Sequence, residues 1–195
     1  VDLCLKHDIL AITDEIYEHI HYKGEHIPLA TWDGMANRTI TVSGLSKTFS
    51  VTGWRVGTIV APPDLTDAIR KVHDFLTVGA PAPLQEACAV GIEEIGSEYY
   101  ESLAVEYGAR GDVLSKALYE AGFKCSAPEG ASYILADFSK ISGKDDTTFA
   151  KDLARDAGVA SVPGSSFFSA PERGASLVRF AFCKRTETLR DAGDR

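Results

Sequence analysis

The segment Thr39–Ala61, TITVSGLSKTFSVTGWRVGTIVA, decides the fold class, because it contains two β-branched runs joined by a polar loop. TITVSG (Thr39–Gly44) and VGTIVA (Val56–Ala61) each have the composition of a strand. Two prolines follow, and Asp64 then caps a predicted helix whose apolar residues recur at helical spacing. Two strands followed directly by a helix indicate an α/β protein.

Strands and helices continue to alternate on both sides of this segment. Upstream, ILAITD (Ile9–Asp14) is a short apolar run that ends in an acid, which predicts a buried parallel strand. Downstream, further helices are predicted over 84–95, 97–121 and about 147–157, and further strands over Tyr133–Phe138 and Leu177–Phe182. The pattern therefore predicts the α/β class, with a domain boundary near residue 96.

Composition restricts the class of protein. The 195 residues carry 20 Lys and Arg against 28 Asp and Glu, a net charge of −8, with no basic block of the kind that binds nucleic acid. No apolar run approaches the roughly 18 residues that span a bilayer. Four widely spaced cysteines predict reduced, mostly buried thiols and a cytoplasmic protein. Since Met35 is the only methionine, we expect Val1 to lie within a longer chain.

Lys47 is the candidate for chemistry in the loop between the two strands. It lies just beyond a strand among small residues, and Arg55 follows eight positions later between glycines. A lysine confined at a strand end can form a Schiff base with a carbonyl, and an arginine fork fits phosphate oxygens. Ser46 and Ser50 offer hydroxyl groups. A surface lysine on a polar loop is the alternative that these features leave open.

The same stretch resembles the lysine-attachment motif of class I and II aminotransferases, fold type I enzymes that use pyridoxal 5′-phosphate. The matching residues are Gly44, Leu45, Ser46, Lys47, Ser50, Val51, Gly53, Arg55, Val56 and Gly57. The resemblance implies that Lys47 carries the cofactor as a Schiff base and that Arg55 holds its phosphate. Many members have serine three places before the lysine, where this chain has Gly44, so Ser43 or Ser46 is expected to supply the hydroxyl.

A second match lies upstream, in TDEIY (residues 13–17). It resembles the family's Asp-x-x-Tyr, which implies that Asp14 binds the pyridine nitrogen and Tyr17 the phenolic oxygen. A carboxylate beside the ring nitrogen keeps it protonated and makes the ring a better electron sink. A polar exit from the strand is the alternative.

A third match is Arg179 in LVRFAF (residues 177–182), which resembles the arginine that binds the substrate's α-carboxylate. A guanidinium in an apolar strand is expected to be buried and to need an anion, so an internal salt bridge is the alternative. The loop VPGSSFF (residues 162–168) resembles the family's approach to the substrate. No metal site is predicted, because His19, His21 and His26 do not form an ordered set of ligands.

The resemblance covers the C-terminal half of the family's fold: residues 1–96 would belong to the large cofactor-binding domain and 97–195 to the small domain. It implies a homodimeric aminotransferase of amino-acid metabolism, in which Lys47 shuttles a proton between an L-amino acid and the cofactor, with a 2-oxo acid as the second substrate. Aromatic, methionine or kynurenine-type substrates are favoured, and aspartate stays open. The 195 residues alone are expected to be inactive. A lyase on the same fold, or an effector domain of a transcription regulator, remains the alternative.

Overall fold

A computed structural model of the chain describes residues 1–195. It contains seven α-helices and six β-strands that alternate along the sequence, which confirms the α/β class. The helices are α1 (Asp2–His7), α2 (Leu45–Thr48), α3 (Pro63–Leu76), α4 (Ala82–Glu94), α5 (Ser97–Glu120), α6 (Asp146–Asp152) and α7 (Thr186–Asp194). The strands are β1 (Ala11–Asp14), β2 (Thr39–Gly44), β3 (Gly57–Val60), β4 (Tyr133–Asp137), β5 (Val162–Pro163) and β6 (Leu177–Ala181).

The chain divides into two compact units. Residues 1–19 and 24–103 form the first unit, and residues 20–23 and 104–195 form the second. The division falls within α5, and the short segment 20–23 belongs with the second unit. The assignment of 1–96 and 97–195 to a large and a small domain stays a prediction.

The first unit contains a three-stranded sheet in the order β1, β2, β3. β1 runs parallel to β2, and β3 runs antiparallel to it. The prediction that β1 is buried is wrong, because Ile12 is 72% exposed, and Val60 on β3 is 67% exposed. The strand β1 is present and has the apolar composition of a buried parallel strand, but no layer within residues 1–195 covers it.

Asp64 does not cap α3 as predicted. The N-cap is Pro62, two residues before Asp64, so the helix begins at Pro63, and no side chain makes a capping hydrogen bond there. The fixed φ of proline suits a first helical turn, and Asp64 within that turn still interacts favourably with the helix dipole.

The second unit is built on an antiparallel sheet in the order β4, β6, β5. Alternate residues of β4 and β6 form the buried face, namely Ile134, Ala136, Val178 and Phe180. The C-terminal part of α5 contributes Leu114 and Leu118 to the buried core. The helix is unbroken despite its two glycines, and a Cβ on Gly111 would meet Pro128 at 3.1 Å and Phe182 at 3.4 Å. The glycine therefore lets neighbouring side chains approach the helix closely.

All four cysteines are free thiols, but the prediction that most are buried is wrong. Only Cys88 is buried; Cys4 and Cys125 are half-buried and Cys183 is exposed. Partial burial raises the pKa of the Cys125 thiol, which makes it a weaker nucleophile at neutral pH. None of the helices has the length and hydropathy that crossing a membrane would need.

Candidate active site

The parallel pair β1–β2 brings two predicted site residues to the same edge of the first unit's sheet. Asp14 ends β1 and is paired in register with Val42, two residues before the end of β2. Helix α2 begins immediately after β2 and carries Lys47 at its third position. Because the carboxyl ends of parallel strands lie at one edge, the topology places Asp14 and α2 at that edge, where open α/β sheets bind ligands.

The Lys47 side chain has no acidic partner within the chain. It is half-buried, and the structure contains no hydrogen bond or ion pair to its ammonium group. A half-buried amine without a carboxylate partner is available to react with a carbonyl ligand.

Arg55 lies in a strained loop that returns from α2 to β3. Its backbone is left-handed, with φ +55°, as is that of Ser50. The guanidinium donates from Nη1 to the Thr52 carbonyl at 3.1 Å, and the Thr52 hydroxyl donates to the Ser46 carbonyl at 3.0 Å. Left-handed non-glycine residues cost about 1–3 kcal/mol each and collect at functional sites. Arg55 is exposed and has no acidic partner, so its Nη2 and Nε donors remain free for an anion.

Ser43 and Ser46 differ in their availability as phosphate donors. The Ser43 hydroxyl donates to Glu18 Oε1 at 2.7 Å and lies 3.3 Å from the Glu15 carbonyl. The Ser46 hydroxyl makes no hydrogen bond within the chain. Of the two serines, only Ser46 therefore has a hydroxyl free for a ligand.

Gly44 is a requirement of strand pairing. It pairs with Gly57 across β2 and β3, and a Cβ at position 44 would lie 3.2 Å from three atoms: Gly57 Cα, Ile16 Cδ1 and the Val56 carbonyl oxygen. Most Cβ contacts are longer than this, so a serine there would push the strands apart.

Gly44→Ser, which restores the residue found in many family members, is expected to lower the free energy of unfolding by about 1–3 kcal/mol through overpacking. It is not expected to improve cofactor binding. Urea unfolding and a pyridoxal phosphate titration of the full-length protein measure both effects. The matched control is Gly53→Ser, because a Cβ at Gly53 meets nothing within 4 Å. Unchanged stability together with tighter cofactor binding would contradict the packing argument.

Asp14 has one carboxylate oxygen in use and one available. Its Oδ1 accepts the backbone N–H of Ile16 at 3.2 Å, and no Lys, Arg or His pairs with it. Tyr17 follows in the same turn and is half-buried. The turn after β1 thus presents an exposed carboxylate with a spare acceptor, as a protonated ring nitrogen requires.

Sequence reasoning missed Glu15, the neighbour of Asp14. Glu15 is only 7% exposed, and its two carboxylate oxygens are satisfied by the Thr13 hydroxyl at 2.8 Å and by His26 Nε2 at 2.9 Å. The side-chain atoms of Glu15, Glu18 and His26 that could ligate a metal ion lie within 4.8 Å of one another. Because both Glu15 oxygens are already hydrogen-bonded, we interpret the cluster as a brace for the turn that carries Asp14. No spacing in the sequence indicates this brace.

A cavity of about 790 Å³ in the first unit overlaps the predicted site only in part. It is lined by Ser43, Arg55 and strand β3, but not by Asp14, Tyr17 or Lys47. Since β3 is exposed along its whole length, this cavity reflects the uncovered sheet.

Arg179, in the second unit, is not buried as predicted. It lies in the middle of β6 opposite Leu135 and Val162, on the half-exposed face of the sheet. The predicted alternative, an internal salt bridge, is absent, since no acidic side chain pairs with it. Two aromatic rings contact the guanidinium instead: its Cζ lies 4.8 Å from the Tyr133 centroid and 4.2 Å from the Phe167 centroid. The N–H fork of Arg179 therefore has no anionic partner within the chain.

The functional groups of the residues present fit the chemical groups of pyridoxal 5′-phosphate. Lys47 offers a primary amine, Arg55 a guanidinium for phosphate, Ser46 a free hydroxyl and Asp14 a carboxylate oxygen. Neither cation has a counter-charge in the chain, and Asp14 pairs with no cation. Such a set complements a ligand with a carbonyl, a phosphate and a basic ring nitrogen.

Comparison with known proteins agrees with the resemblance seen in the sequence. The family model described as aminotransferase class I and II matches residues 1–195. A kynurenine–oxoglutarate transaminase of Dictyostelium discoideum is 35% identical, over 99% of this chain and 49% of the relative. The methionine aminotransferase of Escherichia coli K12 is 36% identical, over 97% of this chain and 49% of the relative. The chain thus spans about half the length of these relatives.

Solved structures show the same correspondence. N-succinyldiaminopimelate aminotransferase from Mycobacterium tuberculosis superposes with a TM-score of 0.93 at 35% identity. The match covers 99% of this chain and 50% of that structure. At this identity and coverage, the likeness extends to the sequence as well as the fold.

Proposed function

The chain belongs to the aminotransferase class I and II family, and from this premise we propose that the full-length protein transfers an amino group between an L-amino acid and a 2-oxo acid. Pyridoxal 5′-phosphate is the proposed cofactor. The observation that carries the proposal is Lys47, a half-buried lysine without a partner at the carboxyl end of β2, in the motif that the family uses for attachment.

In this proposal each residue of the first unit has a separate task. Lys47 would hold the cofactor through its carbonyl group and, once the substrate amine has displaced it, would accept the proton from the substrate's Cα and deliver it to the cofactor's C4′. Asp14 and Tyr17 would hold the pyridine nitrogen and the phenolic oxygen. Arg55 and Ser46 would hold the phosphate, because Ser43 is already hydrogen-bonded to Glu18. The cofactor, when bound, supplies the electron sink for the electrons of the Cα–H bond.

The second unit contributes recognition of the substrate. Arg179 would bind the α-carboxylate that amino acids and 2-oxo acids share, using the fork that the chain leaves free. Between Lys71 and Arg110 the sequence has no Lys or Arg that could bind a second carboxylate. This favours substrates with aromatic, methionine or kynurenine-type side chains, the classes to which two of the named relatives belong.

We infer, as the family resemblance implies, that a homodimer of longer chains is the active unit. The relatives are about twice as long as this chain, and the rest of such a chain would provide cover for the exposed apolar residues of β1 and β3. The experiments described below therefore use the full-length protein.

The test of the proposed function is reduction of the full-length protein with borohydride in the presence of pyridoxal phosphate. Peptide mapping is expected to find the pyridoxyl mass on the peptide that contains Lys47, and the label should disappear in Lys47→Ala. Label on another lysine would contradict the assignment. Incubation with an aromatic amino acid and 2-oxoglutarate should then yield glutamate, whereas release of ammonia or a broken side chain would indicate a lyase.

A further inference from the structure

Asp146, in the second unit, is a buried carboxylate to which neither the sequence nor the proposed function assigns a role. It is the first residue of α6 and is only 4% exposed. Its Oδ2 accepts the backbone N–H of Ser165 at 2.7 Å. A buried carboxylate costs free energy unless hydrogen bonds satisfy it, so this contact ties Asp146 firmly to the segment around Ser165.

That segment, the turn Gly164–Phe167, is also fixed from a second side. A Cβ built on Gly174 would lie 2.3 Å from the Gly164 carbonyl carbon, and one on Gly164 would lie 2.6 Å from the Gly174 oxygen. The turns Gly164–Phe167 and Pro171–Gly174 therefore pack backbone against backbone, which only glycine permits. Asp146 and the Gly164–Gly174 contact together leave the turn little freedom to shift.

The last residue of this turn contacts Arg179. Phe167 places its ring centroid 4.2 Å from the guanidinium carbon, although the residue is itself 43% exposed. A ring attracts a guanidinium through its π-face and does not consume N–H groups as a carboxylate would. Phe167 can thus fix the orientation of Arg179 while its fork remains free for an anion.

We propose that Asp146 is a positioning residue for carboxylate recognition: by holding Ser165 it keeps Phe167 against Arg179, and Phe167 keeps the guanidinium oriented. This inference rests on the proposed function in one respect, that Arg179 binds the substrate's carboxylate. The proposed coupling links the buried Asp146 carboxylate, its hydrogen bond to the Ser165 backbone and the contact between Phe167 and Arg179, all within the second unit.

The experiment measures KM and kcat for an amino acid and a 2-oxo acid in the full-length enzyme. Phe167→Leu and Asp146→Ala should each raise both KM values about fivefold, the weight of one partly exposed cation–π contact, with kcat within about twofold. Phe167→Tyr and Asp146→Asn, which retain the ring and an acceptor oxygen, should restore KM. The double variant Asp146→Ala/Phe167→Leu should be no worse than Phe167→Leu alone, because both changes remove the same contact.

A second readout is independent of turnover. Binding of 3-phenylpropanoate, a monocarboxylate that cannot react, is followed by calorimetry and should weaken by the same factor in both single variants. Leu189→Ala is the matched control, since it removes a buried side chain of α7. It should lower Tm without changing KM or carboxylate binding.

Additive effects in the double variant, or a lowered Tm with unchanged KM, would overturn the positioning role. If Asp146→Ala does not fold, Phe167→Leu decides, because Phe167 is exposed and its removal spares the core. Arg179→Lys separates the two proposals. If it weakens carboxylate binding while the Phe167 and Asp146 variants do not, only the positioning role is wrong. If it leaves binding unchanged, the carboxylate role of Arg179 in the proposed function is wrong as well.

Discussion

Lys47→Ala in the full-length enzyme is expected to lower kcat by about 10²–10⁴-fold, the usual share of a general acid–base group. Lys47 is half-buried, has no hydrogen-bond or ion-pair partner in the chain and is the third residue of the helix at the carboxyl end of β2, and alanine has no group that could carry the proton in its place. Cofactor retention should fall much less, since Arg55, Ser46 and Asp14 remain. Single-turnover kinetics and the content of bound pyridoxal phosphate measure the two effects separately.

Two further variants test whether the effect is due to proton transfer. Lys47→Arg keeps the positive charge but cannot give up its proton near neutral pH, so it should be as slow as Lys47→Ala. Lys71→Ala, which removes an exposed lysine of α3, should leave kcat unchanged. Added methylamine should partly restore turnover in Lys47→Ala but not in Lys47→Arg. A fully active Lys47→Ala enzyme would exclude the proton-carrier role.

Local patterns in the sequence predict the positions of the strands and of the residues at their ends. The prediction of β2 is confirmed at both ends, Thr39 and Gly44, because β-branched residues fill it and small residues end it. Once β1 and β2 are parallel, Asp14 and Lys47 must lie at one edge of the sheet. The motif residues and the strand order therefore predict the edge that carries the candidate site.

Burial could not be predicted in the same way, because it depends on residues outside the strand concerned. The composition of β1 is that of a buried strand, yet Ile12 is exposed since nothing within residues 1–195 covers it. Arg179 illustrates the converse error. An apolar strand suggested a buried guanidinium, whereas alternate residues of β6 point to opposite faces and Arg179 lies on the half-exposed one.

Contacts between distant residues left no signal in the sequence. Glu15 and His26 are 11 residues apart, and Asp146 and Ser165 are 19 apart. Neither pair forms a recognised motif, since a carboxylate can accept from any donor that the fold brings close. Both pairs support residues that the sequence did identify, Asp14 and Arg179. What the sequence predicts is thus the reactive groups, while the side chains that hold them in place require the structure.

Asp14→Asn in the full-length enzyme is expected to lower kcat by about 10²–10³-fold, the scale for removal of one preorganised electrostatic group. Asparagine is nearly isosteric and can still accept the Ile16 N–H through its amide oxygen, so the turn after β1 should keep its shape. A neutral amide cannot stabilise positive charge on a ring nitrogen, and the electron sink for the Cα–H electrons weakens. Cofactor content should stay within a fewfold of the wild type.

The matched control for this charge change is Asp8→Asn, which neutralises an exposed carboxylate of the same unit, paired only with Arg38 at 2.9 Å. Surface pairs of this kind contribute about 0–1 kcal/mol to stability, so the kcat of Asp8→Asn should be unaltered.

The decisive measurement is single-turnover deprotonation of the substrate's Cα, because steady-state turnover also contains product release. If Asp14→Asn deprotonates the substrate at the wild-type rate, the carboxylate has no electrostatic role. If instead it loses the cofactor with an unchanged rate per bound cofactor, Asp14 serves only as an anchor. The free carboxylate oxygen of Asp14 predicts slow deprotonation of the substrate's Cα in Asp14→Asn even when the cofactor is fully bound.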